Sequence, residues 1–156
     1  MDAGGVTDGE WWPVADALGF LAGRWRVTRT VRDLAGADEG YFEGHTAFGP
    51  LPDGARGLLH EEAGEFTWQG VTRPATRTLR FLPGAEPGTA EVRFADGRPF
   101  HDLDLRAGRH VAGHPCAADF YRGEFTVSGA GHWRSVWRVG GPRKDLVLTT
   151  DYVREG

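Results

Sequence analysis

Within residues 100–116, FHDLDLRAGRHVAGHPC, the chain gathers three of its six histidines and its only cysteine. Side chains of these types at this spacing could hold a metal, pass a proton, or line a pocket. For a metal, His114 and Cys116 stand two apart, so a strand would aim both at one point, with His101 arriving from the neighbouring strand. That is three soft ligands, and Pro115 breaks regular strand geometry between two of them. No His-x-His or second cysteine completes the set, so no metal is expected. His114 and Cys116 read instead as a rim turn with a packed thiol bordering a pocket. For proton transfer, His101 needs a substrate proton in reach and a partner that fixes its tautomer. Asp119 or Tyr121 could supply that partner, which makes His101, Asp119 and Tyr121 the catalytic candidates. A core histidine satisfied by the same groups or by a carbonyl is the equal alternative. His45, His60, His110 and His132 are isolated or lie in turns and read as solvated or structural. No Gly-x-Ser-x-Gly elbow, phosphate loop or dinucleotide fingerprint is present.

The elements that must position these groups follow from hydrophobic periodicity. Residues 1–10 are rich in Gly, Asp and Thr and are expected to form a flexible tail ahead of one domain over residues 11–156. In WWPVADALGFLAG, Pro13 suits a first helical turn, Val14, Ala17, Leu18 and Leu21 recur at helical spacing, and Gly23 stops the pattern. From Trp25 onward the period is two, in eight to ten short runs separated by PDG, PGAEPG, ADG, AG, GAG and GGP. No long crossover separates the runs, so the expectation is an all-β, up-and-down antiparallel barrel of eight to ten strands with a short N-terminal helix closing one end.

Alternation also assigns faces. Trp25, Val27 and Val31 take Arg29 inward, and Leu79 and Phe81 take Arg77. His101 goes in with Leu103 and Leu105 while Asp102 and Asp104 face solvent. Asp119 travels with Tyr121, Phe125 and Val127. Trp133 and Trp137 share a face, as do Leu146, Leu148, Tyr152 and Arg154. The inner wall is therefore apolar and aromatic with a few polar groups, the composition of a small-molecule site. The candidate ligand-binding residues are Arg29, Arg77, His101, His114, Cys116, Asp119, Tyr121, Trp137 and Tyr152. An inward arginine keeps its charge and needs an acceptor. Asp119 can neutralise only one of Arg29 and Arg77, which leaves the other for a ligand anion or for solvent at the mouth.

Composition narrows the function classes. With 156 residues the chain can bury a core of its own, and a net charge of -4 with no concentrated basic face argues against nucleic acid. Seventeen arginines against one lysine, Lys144, read as codon bias. A lone cysteine excludes an internal disulfide, and the first residues show neither a basic start nor an apolar run. No window approaches the roughly 18 apolar residues of a membrane span. The expectation is a cytoplasmic protein, monomeric or homodimeric, with a small-molecule partner.

The short helix, GRW at the first strand and YVR at the end of the last resemble the calycin barrels: lipocalins, intracellular fatty-acid-binding proteins and nitrobindin-like haem proteins. The resemblance implies that Gly23, Trp25 and Arg154 pack together at a closed end. The fatty-acid binders use an Arg-x-Tyr pair near the C-terminus, whereas here the order is Tyr152-Val153-Arg154. The nitrobindin-like proteins present a late histidine, and none follows His132, so neither haem nor another cofactor is expected. Phrases such as FLAGRW, DGRPFHDLDL, DFYRG and GPRKD are similar to a bacterial family carrying only a domain-of-unknown-function label. The function expected is binding of a small, mostly apolar organic ligand, with or without an anionic group, in the barrel interior. The alternative is a barrel-type isomerase, cyclase or hydrolase using His101 as acid or base.

Overall fold

A computed structural model describes residues 11–116 and 119–156, without the side chains of Pro115 and Cys116. The expected tail over residues 1–10 and the thiol of Cys116 lie outside the described residues. Ten strands follow one helix, Ala17–Leu21 (α1): Gly23–Asp33 (β1), Glu39–Pro50 (β2), Leu58–Trp68 (β3), Val71–Pro83 (β4), Thr89–Phe94 (β5), Pro99–Asp104 (β6), Arg109–Cys116 (β7), Asp119–Gly129 (β8), His132–Gly141 (β9) and Lys144–Arg154 (β10). They form one antiparallel sheet in the order β6-β5-β4-β3-β2-β1-β10-β9-β8-β7, curled into a nearly closed barrel as the alternation predicts. The helix is not long and apolar enough to cross a membrane.

The helix is shorter than the Pro13–Leu21 segment expected from spacing, and the reason is local. Asp16 is extended and caps the helix, its carboxylate accepting the Gly19 N–H at 3.0 Å. Upstream, Trp12 N–H donates to the Val127 carbonyl at 2.9 Å and Val14 N–H to the Leu105 carbonyl at 3.0 Å. Val14 keeps its core position by tying into strand ends, with no helical turn beneath it.

At the closed end Ala17, Leu21 and Trp25 are fully buried. Trp25 Nε1 donates to the Leu21 carbonyl at 2.8 Å. Arg154 lies with its guanidinium 4.1 Å from the Trp25 ring centre and donates to the carbonyls of Phe20, Ala22 (3.1 Å) and Ala130 (3.2 Å). Gly23 has a φ of 113°, a value that favours glycine, with Arg154 close beside it.

Two interruptions open the other side of the barrel. Strands β6 and β7 share no ladder among the described residues, and their seam is bridged by side chains. Phe100 and His114 have ring centres 5.4 Å apart, and His110 Nε2 lies 3.4 Å from Asp102 Oδ1. His110 is thus a half-buried strand residue, not the turn residue expected. The second interruption is on β4. β5 pairs only with Leu79–Pro83 of β4, so residues 71–78 are paired with β3 alone. Residue Pro74 falls in this stretch, opposite Glu65. Counting from the Trp68–Val71 pair that flanks the two-residue turn, its missing N–H would have faced away from β3. Proline at that place withholds a donor from any strand that could close the notch.

Candidate functional site

Inward-facing side chains change character along the barrel. Near the closed end Trp25, Val27, Phe48, Leu79, Phe81, Val127, Trp133 and Tyr152 are buried and touch one another. Toward the other end Phe66, Ala75, Phe94, Phe100, Tyr121, Trp137 and Leu148 are only half-buried. The interior is therefore a cup with a solid base.

The floor of the cup is a buried ion pair. Arg29 donates from Nη1 and Nη2 to the two carboxylate oxygens of Glu62, both at 2.9 Å, and from Nε to Thr150 Oγ1 at 2.7 Å. The fork-to-fork geometry satisfies both groups at once, as a charge so far from water requires. Burial pulls the guanidinium pKa down, but Tyr152 and Glu62 outweigh it and hold the group above its usual value. Burial likewise raises the Glu62 pKa, and the Arg29 hydrogen bonds with the charges of Arg77 and Arg29 bring it below the ordinary carboxylate range. Glu62 thereby corrects the expectation that Asp119 is the inward carboxylate. Asp119 sits at the rim and pairs with Lys144 at 3.0 Å.

On this floor stands a cavity of about 330 Å³ walled by Val31, Phe42, Phe66, Ala75 and Leu148, with Thr76 and Arg77 at its edge. The Arg29 guanidinium lies 5.1 Å from the Phe42 ring centre. Arg77 Nη2 is 3.8 Å from Glu62 Oε2, with 41% of its side chain exposed. The opposite wall is a ring cluster. Trp137 stacks on Phe100 at 5.3 Å, His101 meets Trp137 at 5.3 Å and Phe125 at 5.2 Å, and His114 lies 6.0 Å from both Phe94 and Tyr121. Gly123 leaves room for the Trp137 ring, which a Cβ there would meet at 2.6 Å.

The structure so brings Arg29 and Arg77 together through Glu62, and groups His101, His114, Tyr121 and Trp137 in the other wall. Tyr152 lies below the floor, stacked on Trp133 at 3.7 Å. His101 faces inward while the Asp102 side chain is 78% exposed. Its Nδ1 is 2.7 Å from the Asp102 carbonyl, so a main-chain oxygen, and not Asp119, fixes its tautomer. Burial pushes its pKa down to about 4. The acid–base alternative loses the carboxylate partner that it assumed.

Sequence reasoning missed a second group beside Glu62. His60, expected to be solvated or structural, is 2% exposed, stacked on Phe48 at 4.5 Å and edge-on to Phe81 at 5.6 Å. Neither ring nitrogen has a hydrogen-bond partner among the described residues. Burial first, and then the charge of Arg77, lowers its pKa to about 3. The signal for both residues was parity with Phe66 and Trp68 on the same strand. The other isolated histidines are exposed in part on the outer face, His45 Nδ1 lying 2.7 Å from Glu155 and His132 Nε2 2.9 Å from Asp151.

Fold and cup together define a ten-stranded meander barrel with an aromatic mouth. The chain belongs to a family of unknown function (DUF6314), whose model matches residues 21–154. No curated protein matches it significantly. Among solved structures it is similar to the S-type phycobiliprotein lyase of Guillardia theta, with a TM-score of 0.61 at 10% identity over 89% of this chain and 90% of that one. It is also similar to a DUF3598-family protein of unknown function from Nostoc punctiforme, with a TM-score of 0.51 at 9% identity over 98% of this chain and 53% of that one. At these identities the likeness is one of fold.

Proposed function

We propose that this protein binds a small, mostly apolar organic molecule in the open end of the barrel. The observation that carries the reading is the passage from a fully packed base to a half-exposed apolar and aromatic wall, over a floor whose charges are already paired. Such a wall costs hydration free energy when empty, and a ligand of matching shape removes that cost. The closed end built from Gly23, Trp25 and Arg154 supports a calycin-like reading of the barrel. The likeness to a phycobiliprotein lyase supports the frame and leaves the ligand open.

Titration of the full chain with N-phenyl-1-naphthylamine tests the proposal, with probe emission and tryptophan quenching as readouts. Saturable one-to-one binding is expected. Ala75→Trp, which fills the cavity, should weaken it about tenfold or more, given roughly 1.4 kcal/mol for each factor of ten. Thermal melts would establish that the variant is folded. Absent saturation, or binding indifferent to a folded Ala75→Trp variant, would overturn it.

A further inference from the structure

We infer that Ser128, His132 and Asp151 form a nucleophilic serine site on the outer face of the barrel, apart from the cup, and that it takes up the acyl group of small, activated esters. The three side chains come from β8, β9 and β10 and stand in one hydrogen-bonded line. Ser128 Oγ bonds to His132 Nδ1, and His132 Nε2 lies 2.9 Å from Asp151 Oδ1. A carboxylate only accepts, so it fixes the tautomer. With the ring proton on Nε2 directed at Asp151, the Nδ1 lone pair faces the Ser128 hydroxyl, the arrangement in which a histidine can take a serine proton. The other acceptor for that hydroxyl, the His132 carbonyl, is 3.4 Å away, longer than an ordinary O–H bond, so the ring nitrogen prevails.

The surroundings hold this line in place. Asp151 also accepts from Arg134, Nε to Oδ1 at 2.8 Å and Nη2 to Oδ2 at 3.2 Å, which keeps the carboxylate from turning away from the ring. Burial raises the Asp151 pKa, but the hydrogen bonds from Arg134 and His132 outweigh it and leave the group below its ordinary value. The β8–β9 ladder shifts register between Val127 and Gly129, so Ser128 and Gly129 both stand against His132, and this bulge takes the serine out of regular pairing. Ser128 is exposed while His132 and Asp151 are half-buried, which opens the hydroxyl to a reagent and shields the groups behind it. A Cβ on Gly129 would meet no atom within 4 Å, so there is space next to the hydroxyl. The amides of Ala130 and Gly131, the two turn residues that follow, donate to no main-chain carbonyl among the described residues and remain donors for a developing oxyanion. Both turn residues are exposed, so a long chain meets no enclosing wall there. The fitting substrate is therefore a short acyl group with a leaving group that departs readily.

In the reaction, Ser128 Oγ attacks the ester carbonyl carbon as its proton passes to His132 Nδ1. The bond from that carbon to the leaving oxygen breaks, the imidazolium gives up its proton to the departing oxygen or to solvent, and Ser128 is left acylated. Water then adds to the acyl carbon with His132 taking its proton, which releases the carboxylic acid and restores the hydroxyl.

The test treats the full chain with p-nitrophenyl acetate and, separately, with a fluorophosphonate, whose fluoride leaves as Ser128 Oγ bonds to phosphorus. Intact-mass and peptide-mapping mass spectrometry should find one acetyl or phosphonyl group on Ser128. Ser128→Ala should abolish that adduct, and His132→Gln should slow its formation about 100-fold or more, with circular dichroism establishing that each variant is folded. Asp151 acts as a positioning residue, so its readout is the ring: 15N NMR should place the His132 proton on Nε2 in the parent, and Asp151→Ala should lose that preference and slow the acylation. Three results would each overturn the assignment and reduce these contacts to a clasp between strands: an unlabelled Ser128, a labelling rate unchanged in folded His132→Gln, or a parent ring protonated on Nδ1 alone. None of them bears on the cup.

Discussion

His60 offers the sharpest check on the interior, because its environment carries a definite sign. The ring is enclosed by Phe48 and Phe81 with both nitrogens unpartnered among the described residues, and its folded pKa is about 3 against an ordinary value of 6.5. Between those two values the unfolded chain holds a proton that the folded chain refuses, so acidification through that window favours unfolding. From pH 7 to pH 5 the loss assignable to His60 is about 2 kcal/mol, the free energy of protonating an ordinary imidazole over that interval. For a chain of this size that amounts to about 4–8 °C in Tm. His60→Leu removes the titration and the unpartnered nitrogens, at the expense of a ring contact with Phe48. At pH 7 an unsatisfied buried group costs about 1–3 kcal/mol and a ring pair contributes about 0.5–1.5 kcal/mol, so the variant should be neutral or up to about 2 kcal/mol more stable. Urea denaturation of both proteins at pH 7 and pH 5 measures the four free energies. If His60→Leu showed the same fall between the two pH values as the parent, or lost several kcal/mol at pH 7, the reasoning from an unpartnered neutral ring would be wrong.

Two further outcomes follow from the charges. Glu62→Gln leaves the Arg29 guanidinium buried without its counter-charge and should cost about 3–5 kcal/mol at pH 7 in the same urea assay. Because the Glu62 pKa is lowered on folding, its contribution is present above the ordinary carboxylate range and lost below it, so the gap between parent and variant should close as the pH is taken down through that range. Arg154→Met should lower stability by about 1–3 kcal/mol, combining the stack on Trp25 with the loss of donors to the Phe20, Ala22 and Ala130 carbonyls, and a melt by circular dichroism would show it.

The strands were legible because alternation persists wherever one face is apolar, as in Trp25, Val27 and Val31 or Leu103 and Leu105. It fails on LLHEEAGEF, where His60, Glu62 and Gly64 face inward and Glu61, Ala63 and Glu65 outward. Both faces are polar in composition there, so the strand was visible but its interior was not. Arg29 could be placed inside by parity, yet its partner lies on a strand paired through β2 and not through the sequence neighbourhood of Asp119. Parity also put Asp119 on the inner face without revealing its height, and at the rim Lys144 is the nearer charge. The early helix start failed for another reason: Val14 has the spacing of a helical residue but satisfies its N–H on Leu105. A one-dimensional period cannot report that bond.

The single long-range ladder has a consequence for how the chain can assemble. Among the described residues, eight of the nine ladders join strands adjacent in sequence, and only β1 with β10, from Trp25–Arg154 to Asp33–Leu146, joins distant ones. Nearly all the loop-closure entropy of the fold is therefore concentrated in one event. The halves β1–β6 and β7–β10 are meanders built from local hairpins and can order separately. Segment 12–14, which bonds to Val127 on one half and Leu105 on the other, can tighten only after the halves have met, so it acts as a latch on a finished barrel.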